Sequence, residues 1–273
     1  PKGDGEIIFK MRFDCLTLFP EFFELAKTGL TGKAFRELGH TLTVHSLRQF
    51  SDKIHGHVDD APFGGGPGMV LRPEILLRAL RSIPKSSSSR VIHFSPKGTP
   101  LTHDKIQSLL KYDHLILIAS RYEGVDERAL RLGVDEEISL GDFVVSGGEL
   151  PALVLIDALV RWLPGVLGND LSAYEDSFVQ GLLDHPHYTR PEVFEGHSVP
   201  EVLVSGDHEK IRRWRLEKAM RETQLKRPDL WTSYLRERIC TQDLRTQWLA
   251  WCIEHPETEG IPMPKGWSGW PLV

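Results

Sequence analysis

Three short segments, each after an apolar run, carry residue types suited to holding a small polar ligand. They are Ser95-Pro96-Lys97-Gly98, Ser120-Arg121-Tyr122-Glu123-Gly124, and Gly141-Asp142-Phe143-Val144-Val145-Ser146-Gly147-Gly148. Glycine lets backbone approach a ligand closely, and free N–H groups at the start of a following helix bind polar atoms. Any one of these reads as an ordinary tight turn. Three of them in one domain, beyond the carboxyl ends of strands, point to a nucleoside-sized ligand. Gly64-Gly65-Gly66-Pro67-Gly68-Met69 cannot form a regular element and reads as a loop of special geometry, functional or structural. His55, His57, Asp59 and Asp60 offer metal-ligand types but satisfy no zinc spacing, so they read first as hydrogen-bonding loop residues. Other chemistries fail by spacing. GxGxxG, HExxH, GxSxG and the kinase motifs are missing, and Gly29–Lys33 is two residues too short for a phosphate-binding loop.

The elements that must position these segments alternate. Arg12–Phe19 reads as a strand, and Pro20 opens the next helix at its first position, where a missing N–H costs nothing. Thr41–Leu47 is a strand, Pro73–Arg81 a helix, Pro84–Ser89 a polar link and Val91–Ser95 a strand. Thr102 caps a helix expected through Lys111, and His114–Ala119 (HLILIA) reads as a strand buried on both faces. Glu136–Leu140 is another strand, and Glu149–Trp162 a helix that is apolar nearly all round. This alternation predicts an α/β domain with a largely parallel sheet. Gly165–Asp184 holds Asp170, Glu175, Asp176 and Asp184, no Lys or Arg, and three glycines, and reads as a mobile connection. Asp207 then starts a long helix, and two further helical segments are expected to about Cys252.

Bulk properties narrow the class. The 273 residues are 40% hydrophobic and 26% charged, ordinary values for a globular protein. The net charge of −5 hides a local excess: 207–227 carries eight Lys or Arg (Lys210, Arg212, Arg213, Arg215, Lys218, Arg221, Lys226, Arg227) against four acids. That stretch is the candidate for contacting phosphates, or else a solvated helix face. Three cysteines without CxxC spacing fit small buried thiols in a reducing compartment, so the chain reads as cytoplasmic. The greasiest run, Leu150–Leu167, contains Asp157, Arg161, Pro151 and Pro164, which argues against a membrane span.

Several long strings carry a family resemblance. LFPEFF (18–23), VDDAPFGGGPGM (58–69), SRYEGVDER (120–128), DEEISLGDFVVSGGELPALVLIDALVRWLPGVLG (135–168), EDSFVQGLLDHPHYTRP (175–191) and HEKIRRWRLEKAM (208–220) resemble the bacterial tRNA (guanine-N1)-methyltransferase family, TrmD. The likeness runs colinearly from about Met11 to Trp231. It implies an α/β fold of SPOUT type, a trefoil-knotted parallel sheet with a smaller C-terminal helical domain, where elementary rules would give an unknotted sheet. Residues 1–10 precede Met11, lie outside the likeness and read as an extension, a tag or an alternative start. The implied layout is then a knotted S-adenosylmethionine-binding domain at 11–164 and a flexible acidic hinge at 165–184. A helical tRNA-binding domain at 185–255 and a tail at 256–273 follow.

The resemblance also implies roles. S-Adenosyl-L-methionine, the methyl donor, falls to Pro96, Ser120, Tyr122, Glu123 and Gly124, and to Ser139, Leu140, Gly141, Phe143, Val144, Val145, Gly147 and Gly148. Ser120 stands where glycine is usual, and Phe143 where tyrosine is frequent. Asp176, in the EDSF string, is the implied general base at guanine N1–H, and Arg161 the cation near O6. Read without the family, Asp176 is one more solvated acid and Arg161 complements a helix C-terminus. Substrate contacts are expected at Asp59, Gly66, Ser177, Asp184, His187, Tyr188, Arg190, Arg212 and Arg215. The implied partners are tRNA and a second copy of the chain, in a homodimer with active sites at the interface. A Mg²⁺ requirement is implied, at a place the sequence does not locate. Rival readings are an RNA-binding protein on a decayed methyltransferase scaffold, and a methyltransferase acting on a ribose hydroxyl.

Overall fold

The computed structural model describes residues 10–169 and 172–238. Asp170, Cys240, Cys252, the last predicted helix and the tail lie outside them. The chain divides into two compact units, Pro1–Ala173 and Tyr174–Val273, and the division falls within the 165–184 segment.

The first unit contains β1 (Arg12–Thr17), α1 (Gly29–Glu37), β2 (Thr41–Ser46), β3 (Asp59–Asp60), β4 (Val70–Leu71), α2 (Pro73–Ser82) and β5 (Ser89–Pro100). It continues with α3 (His103–Leu109), β6 (His114–Ala119), α4 (Glu127–Gly133), β7 (Glu136–Ser139) and α5 (Glu149–Val160), and the short α6 (Ser172–Glu175) crosses the division. A five-stranded sheet runs in the order β2-β1-β6-β5-β7, with every pairing parallel. β6 is central and buried along its whole length, as its sequence predicts. Leu115 and Leu117 enter one apolar cluster with α5, while Ile116 and Ile118 enter the other with α2. Each such side chain contributes about 1.5–3 kcal/mol on leaving water.

Local signals hold where expected. Pro20 begins a 3-10 helix through Lys27, and Pro73 opens α2, which buries Ile75, Leu76, Ala79 and Leu80 at helical spacing. The Thr102 hydroxyl accepts from the Lys105 N–H and caps α3, which ends at Leu109 rather than Lys111. α4 is a helix that the sequence pattern does not mark. Asp126 caps it by accepting from the Arg128 N–H.

The larger correction concerns Ser95–Gly98. It is not a loop beyond a strand but a bulge within β5, whose pairing with β7 shifts register between Phe94 and Thr99. Gly98 permits this, since a Cβ there would lie 2.5 Å from the Glu137 carbonyl carbon.

The second unit holds a hairpin of β8 (Val193–Phe194) and β9 (His197–Ser198), then α7 (Glu201–Val204), α8 (His208–Lys226) and α9 (Pro228–Arg238). Asp207 caps α8 by accepting from the Lys210 N–H. Residues 177–184 close a turn, with the Phe178 N–H donating to the Leu182 carbonyl at 2.7 Å. The Leu183 N–H donates to Thr223 Oγ1 at 2.8 Å and ties that turn to α8. No helix among the described residues is long and apolar enough to cross a membrane.

Candidate functional site

Beyond the carboxyl ends of β6 and β7, and at the bulge within β5, the three glycine-bearing segments line one cavity of about 320 Å³. That volume lies within the usual range for small-molecule pockets, about 300–1,000 Å³. The lining includes Pro96, Ser120, Tyr122, Glu123, Gly124, Ser139, Leu140, Phe143, Val144, Val145, Gly147 and Gly148. Gly141 is outside the lining, and its carbonyl accepts from the Phe143 N–H at 2.9 Å. Val144 is 83% exposed and Phe143 57%, apolar surface of the kind a flat ligand covers.

The 120–124 segment is held in an unusual shape. Tyr122 has φ +66°, a left-handed conformation that costs a non-glycine residue about 1–2 kcal/mol. Backbone bonds compensate: the Glu123 N–H donates to the Met69 carbonyl at 2.9 Å, and the Leu71 N–H to the Gly124 carbonyl at 3.0 Å. The glycine-rich 64–69 loop is thereby brought to the cavity rim, with the Glu123 carboxylate packed against Gly68. Asp59 hydrogen-bonds Tyr122, whose hydroxyl pKa is raised by burial first and then by the Asp59 charge. Gly66 stays exposed in that loop.

Two residues that sequence reasoning missed support the site: His93 lines the cavity, and Glu149 is buried under Arg121, which lines it. His93 Nε2 lies 2.8 Å from Ser120 Oγ, and its Nδ1 lies 2.8 Å from Glu137 Oε1. Burial lowers the His93 pKa, with Lys97 adding to the effect against the opposing pull of Glu137. Ser120 is therefore not merely a tighter turn than glycine: it is one end of a hydrogen-bonded chain. Glu149 is buried in the first turn of α5, where a carboxylate favours the helix dipole. It accepts from Thr17 Oγ1 at 2.8 Å, and its other oxygen is 3.0 Å from Arg121 Nε. Neither residue had a local signal, because the partners of His93 lie 27 and 44 positions away in the chain and those of Glu149 lie 132 and 28.

The remaining predicted residues occupy definite places within their own units. Arg161 is the half-buried C-cap of α5, and Asp176 is exposed in the second unit. There Ser177 Oγ accepts from the Asp184 N–H at 2.8 Å, and His187 Nε2 lies 2.8 Å from Asp184 Oδ2. Tyr188 stands 6.2 Å from Trp214, ring to ring, and Arg190 is exposed. On α8, Arg212 pairs with Glu209 at 2.9 Å and Arg213 with Glu217 at 3.1 Å, so part of the basic excess is offset on its own helix; Arg215 is exposed.

His55, His57, Asp59 and Asp60 do not assemble a metal site. The two rings meet edge to face at 6.5 Å, Asp59 engages Tyr122, and Asp60 accepts from the Ala61 N–H. Asp184, His185 and His187 are instead brought within mutual reach, and His185 carried no sequence signal beyond its Asp-His-Pro-His spacing.

Comparisons with known proteins bear on the chain as a whole. The family model described as tRNA (Guanine-1)-methyltransferase TrmD matches residues 11–233. The chain is 55% identical over 228 residues to the tRNA (guanine-N(1)-)-methyltransferase of Dechloromonas aromatica (strain RCB), covering 81% of this chain and 90% of that protein. It is 50% identical over 226 residues to the protein of the same name from Methylobacillus flagellatus, covering 80% and 86%. It is 51% identical over 223 residues to that of Neisseria meningitidis serogroup C (strain 053442), covering 81% and 90%.

Proposed function

Since the chain belongs to the tRNA (guanine-1)-methyltransferase family, we propose that it moves a methyl group from S-adenosyl-L-methionine to N1 of the guanosine immediately 3′ of the anticodon in tRNA. One observation carries this reading: three segments far apart in sequence line a single cavity of about 320 Å³ at the carboxyl edge of the sheet. The residues present suit the donor. Apolar Leu140, Phe143 and Val145 offer contact to a flat base, while Lys97, Glu123 and Glu137 offer charges of both signs to its amino-acid end. When bound, the cofactor supplies an electrophilic methyl on sulfur.

The chain's own residues do the rest. Guanine N1 carries a proton and becomes nucleophilic only when that proton leaves. Asp176 accepts it, and Arg161 holds the negative charge that builds on O6. A carboxylate in water is a weak base, with a pKa of about 3.9. Catalysis therefore requires that the Asp176 carboxylate be enclosed with the substrate. Asp59, Gly66, Ser177, Asp184, His187, Tyr188 and Arg190 contact the target nucleotide and its neighbours. Arg212 and Arg215 contact phosphates.

Around this chemistry we place the rest of the family's frame. The sheet is knotted as in SPOUT enzymes, and the protein works in the cytoplasm as a homodimer. Exposed Leu150 and Val154 on α5 support a second copy covering that helix. A hard cation such as Mg²⁺ takes about six oxygens. Among the described residues, the cluster in ligand reach is one carboxylate with two imidazoles. That donor set does not suit Mg²⁺.

The test is methyl transfer to tRNA with and without guanosine after the anticodon. Asp176→Asn keeps shape but removes the base, so the rate should fall about 10²–10⁴-fold at nearly constant cofactor affinity. Arg161→Ala should also slow transfer strongly. The double variant should be less damaged than the product of the singles. Mixed dimers of the two inactive chains should regain activity if each site draws on both copies. Near-normal turnover by Asp176→Asn would overturn the assignment.

A further inference from the structure

We propose that Asp184, His185 and His187 form a binding site for a borderline divalent transition ion such as Zn²⁺ or Co²⁺. One carboxylate oxygen and one ring nitrogen from each histidine lie within 4.8 Å of one another. The two imidazoles address different oxygens of one carboxylate: His187 Nε2 is 2.8 Å from Oδ2, and His185 Nε2 is 3.7 Å from Oδ1.

The tautomer of His185 supports a ligand role. Its Nδ1 lies 3.1 Å from the Pro186 carbonyl, which only accepts, so Nδ1 carries the proton. In the neutral ring Nε2 then presents a lone pair toward Asp184. Two acceptors, a ring-nitrogen lone pair and a carboxylate oxygen 3.7 Å apart, cannot hydrogen-bond to each other, and a shared cation is what satisfies both. Metal-bound histidines commonly fix their second nitrogen on a carbonyl in this way.

The support is firm. Asp184 Oδ1 accepts from the His185 N–H at 2.7 Å, and the Asp184 N–H is held by Ser177 Oγ. Trp214 stands 6.3 Å from the His185 ring and gives the cluster an apolar wall. Exposed His187 can swing its ring to reach the spacing of about 3.3 Å that bonds of 2.0–2.1 Å demand in a tetrahedral site. Two nitrogens and one oxygen select Zn²⁺, Co²⁺ or Ni²⁺ over Mg²⁺, and three protein ligands leave a position open. Occupancy would also withdraw Asp184 and His187 from RNA. This consequence rests on the proposed function, whereas ion binding does not.

Titration with Co²⁺ alone, followed by visible d–d absorption, separates the two. The unmodified chain should develop a band saturating at one ion per chain, unaffected by excess Mg²⁺. His185→Gln should weaken Co²⁺ at least tenfold, and His185→Gln with His187→Gln should remove the band while far-ultraviolet dichroism stays unchanged. No band in the unmodified chain, or a band that survives the double substitution or carries thiolate charge-transfer, overturns the site whatever methyl transfer does. If the ion binds, Zn²⁺ should raise KM for tRNA without changing cofactor affinity. Failure of that result alone would count against the substrate role of Asp184 and His187.

Discussion

Near the amino-terminal ends of β1 and β6, Asp14 is fully buried and takes hydrogen bonds from His114 Nε2 at 2.9 Å, Arg12 Nε at 2.6 Å and His45 Nε2 at 2.5 Å. His114 is held in turn by Ser89 Oγ at 2.8 Å. At the carboxyl ends of the same sheet, the buried charges are less well matched. Arg121 Nε and Glu149 Oε2 are 3.0 Å apart without forming an aligned hydrogen bond, and apolar Phe143 and Val144 of the cavity lining are exposed. A buried cluster with every group satisfied adds rigidity to a fold. Misaligned charges beside exposed apolar groups and a tyrosine at positive φ are departures from local rules, and such departures concentrate where a ligand binds. The difference separates a structural end of the sheet from a functional one.

The largest expected effect lies at the structural end. Burial pushes the Asp14 carboxyl up, but bonds from His114, Arg12 and His45 outweigh it and hold it well below the usual carboxylate range. Its contribution is therefore present above the unfolded value of about 3.9 and is lost as pH falls below that. Asp14→Asn breaks a buried charge cluster and should cost about 3–5 kcal/mol in denaturant titration at neutral pH. The folded fraction should bind S-adenosylmethionine as before. An unchanged midpoint, or a weakened cofactor, would dissolve the contrast between the two ends.

Gly147→Val comes next, at the functional end. A Cβ there would meet Arg121 Nε and lie 2.5 Å from Glu149 Oε2. The obstacle is thus the ion pair under the loop rather than the ligand itself. Displacing that pair should weaken S-adenosylmethionine about 100-fold, or about 2.7 kcal/mol by calorimetry. Stability should fall by less than in Asp14→Asn. Equal affinity would remove the cavity from this loop.

Smaller effects should come from the His93 chain. Ser120→Gly leaves a buried ring nitrogen without its partner and should cost about 1–3 kcal/mol of stability. Because burial depresses the His93 pKa, the unfolded chain binds a proton more readily. Stability should therefore decline as pH falls below about 6.5, the unfolded value. His40, depressed by burial and Lys10, adds to the same slope. His93→Gln should flatten part of it in pH-dependent melting, and an unaltered slope would leave His40 as its only source of the two.

Short-range features were legible in the residues themselves. HLILIA reads as a strand buried on both faces because alternate side chains meet opposite helical layers. Thr102 and Asp207 read as caps because a cap bonds only two or three residues ahead. The three glycine-bearing segments could be singled out, and the EDSF and HYTRP strings carried the family. That the segments share one cavity was decided by sheet order, which sets β5, β6 and β7 side by side. The bulge at Ser95–Gly98 depends on the Glu137 backbone, and the chain from Ser120 through His93 to Glu137 spans separations of 27 and 44 residues. Glu149 reads as a helix-start acid until Thr17, 132 residues away, is beside it. Periodicity and capping act within a turn or two of chain, so the sequence states them. Buried polar partnerships form only when distant strands close, and there tertiary structure decides.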